Sequence, residues 1–177
     1  MESKISETIK AFFGTLIFLI FGLFVFLIWI PNDIISSPNH TLLFDIGVFR
    51  YVGIVPIVVG VVIYFWCSSI FVFIGKSTPY PFDQTKKILI TGLYRFVRNP
   101  MYIAGILVLI GEVMLFQSKG LFIYCLAMFG VINLYVPFVE EPHLLKKFGG
   151  TYKQYRKSVP RWIPRLTPYR ENDSESQ

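Results

Sequence analysis

Four long stretches of this chain carry almost no charge, and that property decides what it can fold into. Residues 11–30, 51–75 and 120–139 hold no charged residue, and residues 101–118 hold only Glu112. A helix that crosses a bilayer needs about 20 predominantly apolar residues. Helix is also the form in which such a segment satisfies its own backbone where there is no water. Four runs of this kind in 177 residues leave too little polar chain to wrap them as a soluble core. Composition agrees, because 16% of residues are charged here, against about a quarter in soluble domains. An ordinary soluble enzyme, a disordered tail and a disulfide scaffold are therefore excluded. Cys67 and Cys125 both lie inside apolar runs, which suggests neither a disulfide framework nor a cysteine zinc site. The first run is too long for a signal-peptide core and lacks a small-residue cleavage site, so it reads as a retained helix.

Charge placement gives the topology. Fifteen of the 17 Lys and Arg residues fall at the N-terminus, in the segment 76–100 or after residue 140. Only Arg50 and Lys119 lie on the other side. Basic residues gather on the cytoplasmic side of membrane proteins, which puts both termini and the middle loop there. The expectation is one all-α integral membrane domain over 1–177, multi-pass, with four transmembrane helices at about 11–30, 51–75, 101–118 and 120–139. The last two form a tight hairpin, because only Lys119 separates them. A cytoplasmic amphipathic helical lid is expected over 140–166 and a disordered polar tail over 170–177.

The two cytoplasmic segments that flank the hairpin mix basic and aromatic residues. One reading is a pair of polybasic anchors that grip anionic headgroups. An anchor of that kind needs neither Pro100 at a helix entrance nor the adjacent carboxylates Glu140 and Glu141 where the fourth span leaves the bilayer. GLYRFVRNPMY (92–102), a two-helix hairpin, EE (140–141) and FGGTYKQY (148–155) together resemble the isoprenylcysteine carboxyl methyltransferases. The phospholipid N-methyltransferases share part of this pattern. The resemblance covers roughly residues 76–165, and the order of the motifs around the hairpin is what makes it specific.

The resemblance implies S-adenosylmethionine as cofactor, a cytoplasmic active site and a hydrophobic, lipid-like methyl acceptor. It implies cofactor contacts from Tyr94, Asn99, Pro100, Met101 and Tyr102. It also implies contacts from Lys86, Lys87, Ile88 and Leu89, largely through backbone groups, and from Glu140. A carboxylate at a helix end is an apt counter-charge for a ligand bearing a sulfonium and an ammonium. Consecutive helical residues point about 100° apart, so Glu141 is expected as a second cofactor-binding residue behind Glu140, with a nearby Lys or Arg as a candidate partner. Arg161 and Trp162 fall near the substrate entrance by the same resemblance. Direct displacement at an activated methyl needs positioning and desolvation more than a protein nucleophile.

Two departures bear on the acceptor. Asn99 stands where the family signature often has histidine, and Asn-Pro-Met-Tyr followed by Glu-Glu-Pro resembles the phospholipid branch. Val136 occupies the position of a substrate-binding arginine one turn before the first glutamate. A prenylcysteine carboxylate would want that cation, so a phospholipid-type acceptor is favoured. The tail TYKQYRKSVPRWIPR, in contrast, resembles the carboxyl methyltransferases more closely.

Glu112 and Arg161 are the candidates for a direct part in catalysis. An ionisable residue within a span is a functional hypothesis by default, and Glu112 is expected near mid-membrane. Met101, Gly105, Val108 and Glu112 share a helical stripe on which Gly105 would admit a close neighbour. The alternative for Glu112 is a hydrogen bond between helices, for example to Asn133 or a tyrosine. Leu144, Leu145, Phe148, Tyr152 and Tyr155 recur at helical spacing among basic residues, an interfacial amphipathic helix interrupted at Gly149-Gly150. No metal constellation, phosphate-binding loop or dinucleotide fingerprint is present, and no nucleic-acid partner is expected. A membrane reductase of the sterol-reductase-related group and a non-enzymatic lipid-binding adaptor are the competing readings.

Overall fold

The computed structural model describes residues 13, 21–37, 41–75 and 88–170. The start of the first apolar run, Lys86, Lys87 and the 171–177 tail therefore lie outside the described residues. Regular structure among those described is helical, with one isolated antiparallel bridge between Leu42 and Ser118. A π-helical segment, Gly22–Trp29, leads into α1, Ile30–Ser36. A 3-10 segment, Gly47–Gly53, leads into α2, Ile54–Ile70, which ends in a π-helical turn, Phe71–Gly75. A short 3-10 turn, Gly92–Arg95, precedes α3, Pro100–Phe116. Then come α4, Lys119–Tyr135, a π-helical turn, Val136–Glu140, and α5, Glu141–Ser158.

Two helical runs, Gly47–Ile70 and Lys119–Ser158, are long and apolar enough to cross a membrane. The other apolar helices, Phe24–Ser36 and Pro100–Phe116, are shorter. Large apolar side chains on both long runs face outward, including Val62, Phe65, Ile123, Leu134 and Phe138, the last 75% exposed. Exposed apolar surface on this scale calls for an apolar surrounding.

Several boundaries differ from those expected. The first helix passes Pro31 and ends at Ser36, whereas a loop was expected from residue 31. The fourth helical run passes Pro137 and continues into α5 without stopping at 139. Both prolines lie in or next to π-helical turns, where the Ile30 N–H reaches back to the Val25 carbonyl and the Glu141 N–H to the Val136 carbonyl. The shifted ladder tolerates a residue that has no N–H to give. The true interruption is at Gly149, φ 56° and ψ −126°, a conformation that glycine adopts without a Cβ penalty. Helix α3 ends at Phe116 rather than at residue 118, and Ser118 Oγ caps α4 by accepting from the Leu121 N–H at 3.3 Å.

The chain forms two compact units, one including Trp66–Pro100 and Leu134–Gln177, the other Leu16–Phe65 and Met101–Asn133. In the second unit Leu27, Val108, Leu109, Val113, Leu121 and Cys125 make the core. There α2 and α3 touch backbone to backbone. A Cβ added to Gly60 would sit 2.5 Å from the Ala104 carbonyl oxygen, and one added to Gly111 2.5 Å from that of Gly53. The partners run in opposite directions at seven-residue spacing, so two turns of each helix are locked by small residues.

This corrects the expectation for Gly105. Among the described residues nothing lies within 4 Å of where its Cβ would be, and the neighbour packs one face over, at Ala104, Val108 and Gly111. Glu112 belongs to the same helix. It lies about 16 Å along the axis from Met101 and only one turn from the helix end at Phe116. Its Oε2 is buried with no hydrogen-bond partner. Asn133, one suggested partner, turns its Nδ2 to the Phe129 carbonyl of its own helix at 2.8 Å.

Candidate functional site

The carboxylate pair and the 92–99 segment both belong to the first unit. Gly92, at φ +59°, opens the 3-10 turn, and a Cβ there would come 2.9 Å from Ile70 Cδ1. The turn delivers Tyr94, whose ring stands edge-on to Phe71 at 5.8 Å. From α5, the Tyr155 hydroxyl donates to the Tyr94 carbonyl at 2.7 Å. Tyr155 packs with Tyr152, Val159 and Tyr169 in a buried cluster that Ile88, Ile90, Leu144 and Phe148 join. The apolar stripe of α5 is therefore the one read from its spacing, except that Leu145 faces outward.

Beyond α5 the chain crosses back over the 92–99 segment. The Arg98 N–H donates to the Pro160 carbonyl, the Arg165 N–H to that of Phe96 and the Tyr169 N–H to that of Arg95, each at 2.9 Å. Arg95 Nε returns a bond to the Tyr169 carbonyl at 2.8 Å. Residues 159–169 thus strap the motif in place, and Tyr169 is a contributor that sequence reasoning missed. Nothing in its spacing announces it, because the strap is made mostly of main-chain bonds.

Glu141 is 5% exposed and sits among three arginines. Its Oε1 is 2.8 Å from Arg98 Nη1 and 2.8 Å from Arg161 Nη2, and its Oε2 is 3.5 Å from Arg156 Nη1. Arg161 Nε also donates to Oε1, at 3.0 Å. Glu141 therefore has the arginine partners expected of a residue behind Glu140, and Arg161 is committed to the same carboxylate. Glu140 is half-buried and acts electrostatically on Tyr94 and Tyr152. Burial, with smaller contributions from Cys67, Tyr155 and Glu140, holds the Tyr94 hydroxyl well above the usual tyrosine range. Burial likewise raises Tyr155.

The remaining predicted residues are distributed as follows. Asn99 is buried, and its Nδ2 has no hydrogen-bond partner. Arg98 Nε is likewise buried and unpartnered. Pro100 is buried as the first residue of α3, a position where a missing N–H costs nothing. Ile88 packs on the tyrosine cluster, and Leu89 beside it is half-buried. Met101 and Tyr102, in the first turn of α3, are half-buried and belong to the second unit, as does Glu112. Val136 is 1% exposed. No group of three potential metal ligands occurs among the described residues.

The sequence profile of the phospholipid methyltransferase family matches residues 48–151, more than half of the chain. This chain belongs to the phospholipid methyltransferase family. The match takes in the 92–102 segment, the hairpin and both glutamates. Similar curated proteins are phosphatidylethanolamine N-methyltransferases of fungi. That of Ajellomyces capsulatus is 29% identical over 86 residues, 45% of this chain and 9% of its own length. That of Botryotinia fuckeliana is 30% identical over 86 residues, 47% of this chain and 9% of its own. That of Aspergillus fumigatus is 30% identical over 93 residues, 48% and 10%. The chain thus spans about a tenth of the length of these relatives. No solved structure matches it.

Proposed function

We propose that this member of the phospholipid methyltransferase family transfers a methyl group from S-adenosylmethionine to the amine of a membrane phospholipid. The observation that carries the reading is the family match across the 92–102 segment, the hairpin and the paired glutamates. The residues of the first unit suit that cofactor. Arg98 Nε and Asn99 Nδ2 are buried donors without a partner, and each such group costs about 1–3 kcal/mol if left unmet. A ligand with a carboxylate and ring nitrogens supplies acceptors for them, and Glu140 supplies the counter-charge for its cationic end. When bound, S-adenosylmethionine would supply a methyl group on a positively charged sulfur that departs as a neutral thioether, and an ammonium acceptor must first give its proton to water.

The chain's own contribution is positioning and exclusion of water. Tyr94, Asn99 and Glu140 orient the ligand, while the 159–169 strap and the α5 tyrosines keep water from that side. Tyr94 acts as a hydrogen-bonding group and not as a base, since its raised pKa keeps the hydroxyl neutral near pH 7. A carboxylate acceptor is disfavoured because Val136 offers no charge and because Arg98 and Arg161 are each already 2.8 Å from Glu141.

The same reading takes the chain as one membrane domain with four crossing helices, both termini and the site in the cytoplasm, and α5 with the strap as a lid. Fifteen of 17 basic residues on one side support that orientation. Tags at the two termini are expected on the cytoplasmic face and a tag within 41–46 on the other.

The decisive test is methyl transfer in reconstituted vesicles. Phosphatidylethanolamine should gain a methyl from labelled S-adenosylmethionine, and a farnesylcysteine analogue should be a poor acceptor. Glu140→Gln should weaken S-adenosylmethionine binding while leaving the melting temperature near that of the wild type. Robust farnesylcysteine methylation abolished by Arg161→Ala would overturn the choice of acceptor, and absence of calorimetric S-adenosylmethionine binding would overturn the whole reading.

A further inference from the structure

We infer that a pocket formed by Asp45, Gly47, Val48, Arg50, Tyr51 and Gln117 binds the headgroup of a zwitterionic, amine-bearing phospholipid. The pocket has a volume of about 180 Å³ and lies wholly within the second unit. None of its residues belongs to the Glu141 cluster. The inference depends on the chain being embedded in a bilayer and not on methyl transfer.

Gln117 is the first reason. It follows the last residue of α3 with φ 54°, where helices ordinarily place glycine because a Cβ is disfavoured. Its backbone is fully used, with the N–H donating to the Val113 carbonyl at 2.8 Å and the carbonyl accepting from the Leu43 N–H at 2.7 Å. Its side chain is not. The residue is 5% exposed, lines the pocket, and its Nε2 has no hydrogen-bond partner. A glutamine kept at a glycine position, with a buried donor left over, is explained when that donor has a ligand acceptor.

Charge is the second reason. The Arg50 guanidinium lies 4.9 Å from the Tyr51 ring centroid, and its Nη2 donates to the Tyr51 hydroxyl at 3.0 Å. Asp45 uses one carboxylate oxygen to accept from the Gly47 N–H at 2.9 Å. Asp45 and Arg50 act on each other electrostatically, yet among the described residues they form no ion pair within 4.0 Å. One pocket therefore offers a cation and an amide donor for a phosphate, together with a separate carboxylate for an ammonium.

Apolar surface is the third. In the same 3-10 segment Val48 is 74% and Phe49 71% exposed, with Val52 also outward. Those side chains need acyl chains around them, so a tethered headgroup is a better match to the pocket than a free phosphoamine.

The test uses the full chain in detergent and counts bound ligand by native mass spectrometry. The probes are short-chain phosphatidylethanolamine, short-chain phosphatidylglycerol, soluble phosphoethanolamine and inorganic phosphate. Gln117→Gly suits the backbone, so its melting temperature should not fall. It should retain one fewer phosphatidylethanolamine than the wild type, with that site weakened at least about tenfold and methyl transfer unchanged. Asp45→Asn keeps an oxygen for the Gly47 N–H but removes the charge, and should erase the preference for phosphatidylethanolamine over phosphatidylglycerol. Equal phosphatidylethanolamine counts for wild type and Gln117→Gly would overturn the inference. So would wild-type binding of soluble phosphoethanolamine or phosphate as tight as that of the lipid.

Discussion

In the second unit, the Gly47–Ile70 run meets α3 through Gly53 against Gly111 and Gly60 against Ala104, with backbone on backbone and no polar side chain at the contacts. In the first, Glu141 is surrounded by Arg98, Arg156 and Arg161, Tyr155 ties α5 to the Tyr94 carbonyl, and main-chain bonds strap residues 159–169 over the motif. The difference fits the proposed placement, with the second unit in lipid and the first at the water boundary. Lipid is as apolar as leucine, so helices within it gain little from burying leucine and gain most from close packing. Where water reaches the chain, ions and hydrogen bonds fix geometry, provided that every partner is present.

The largest expected effect is therefore at Glu141. Glu141→Ala leaves three arginines without their carboxylate, two of them largely buried, and should cost about 3–5 kcal/mol. Thermal unfolding in detergent measures it, and a loss below about 1 kcal/mol would mean that the arginine cluster is not what holds the first unit. Next is Gly111→Val, which drives a branched side chain into the Gly53 carbonyl and Ile57. Overpacking of this kind should cost about 1–3 kcal/mol, and a well-behaved variant would show that the glycine contact is looser than described.

A smaller loss, about 1 kcal/mol, is expected for Tyr155→Phe, which removes one hydrogen bond. The same variant bears on pH. Burial raises Tyr155 and Tyr94 above the ordinary tyrosine value. Their contribution to stability is thus complete below about pH 10 and is lost as pH climbs from there through the folded values. Alkaline unfolding of Tyr155→Phe should begin at higher pH than in the wild type. The smallest effect is a gain. Gly105→Ala, at an open helical position, should add about 0.5–1 kcal/mol, in contrast to Gly111→Val six residues away.

That contrast marks where the sequence was readable. The apolar runs stand out because a charge inside a bilayer is costly, and two of them fall in helices long and apolar enough to cross one, Gly47–Ile70 and Lys119–Ser158. Gly149-Gly150 was legible as the break in α5, Pro100 as a helix start, and Glu141 as a carboxylate with arginine partners. The face of α3 that packs was not. Counting back from Glu112 selects Gly105, but the partner's glycines at 53 and 60 decide the contact, and a single helix does not disclose them. The helix through Pro31 and the continuation of the fourth helix beyond residue 139 were equally hidden, since a shift to π-helical bonding leaves no mark in the residue pattern. The strap was invisible because the bonds that hold it to the 95–98 segment are mostly main-chain bonds, which leave no mark in the residue pattern.

The strap also sets an order of events. Its bonds join residues 62 to 74 positions apart, and closing a loop of that length costs entropy that local helix formation does not. During synthesis the hairpin of α3 and α4 can form as soon as both helices have emerged, whereas the Arg95 and Phe96 carbonyls must wait for residues 165 and 169. The 92–99 segment is thus latched later than the hairpin, and a ribosome that stalls before Tyr169 leaves that segment without its full set of strap bonds.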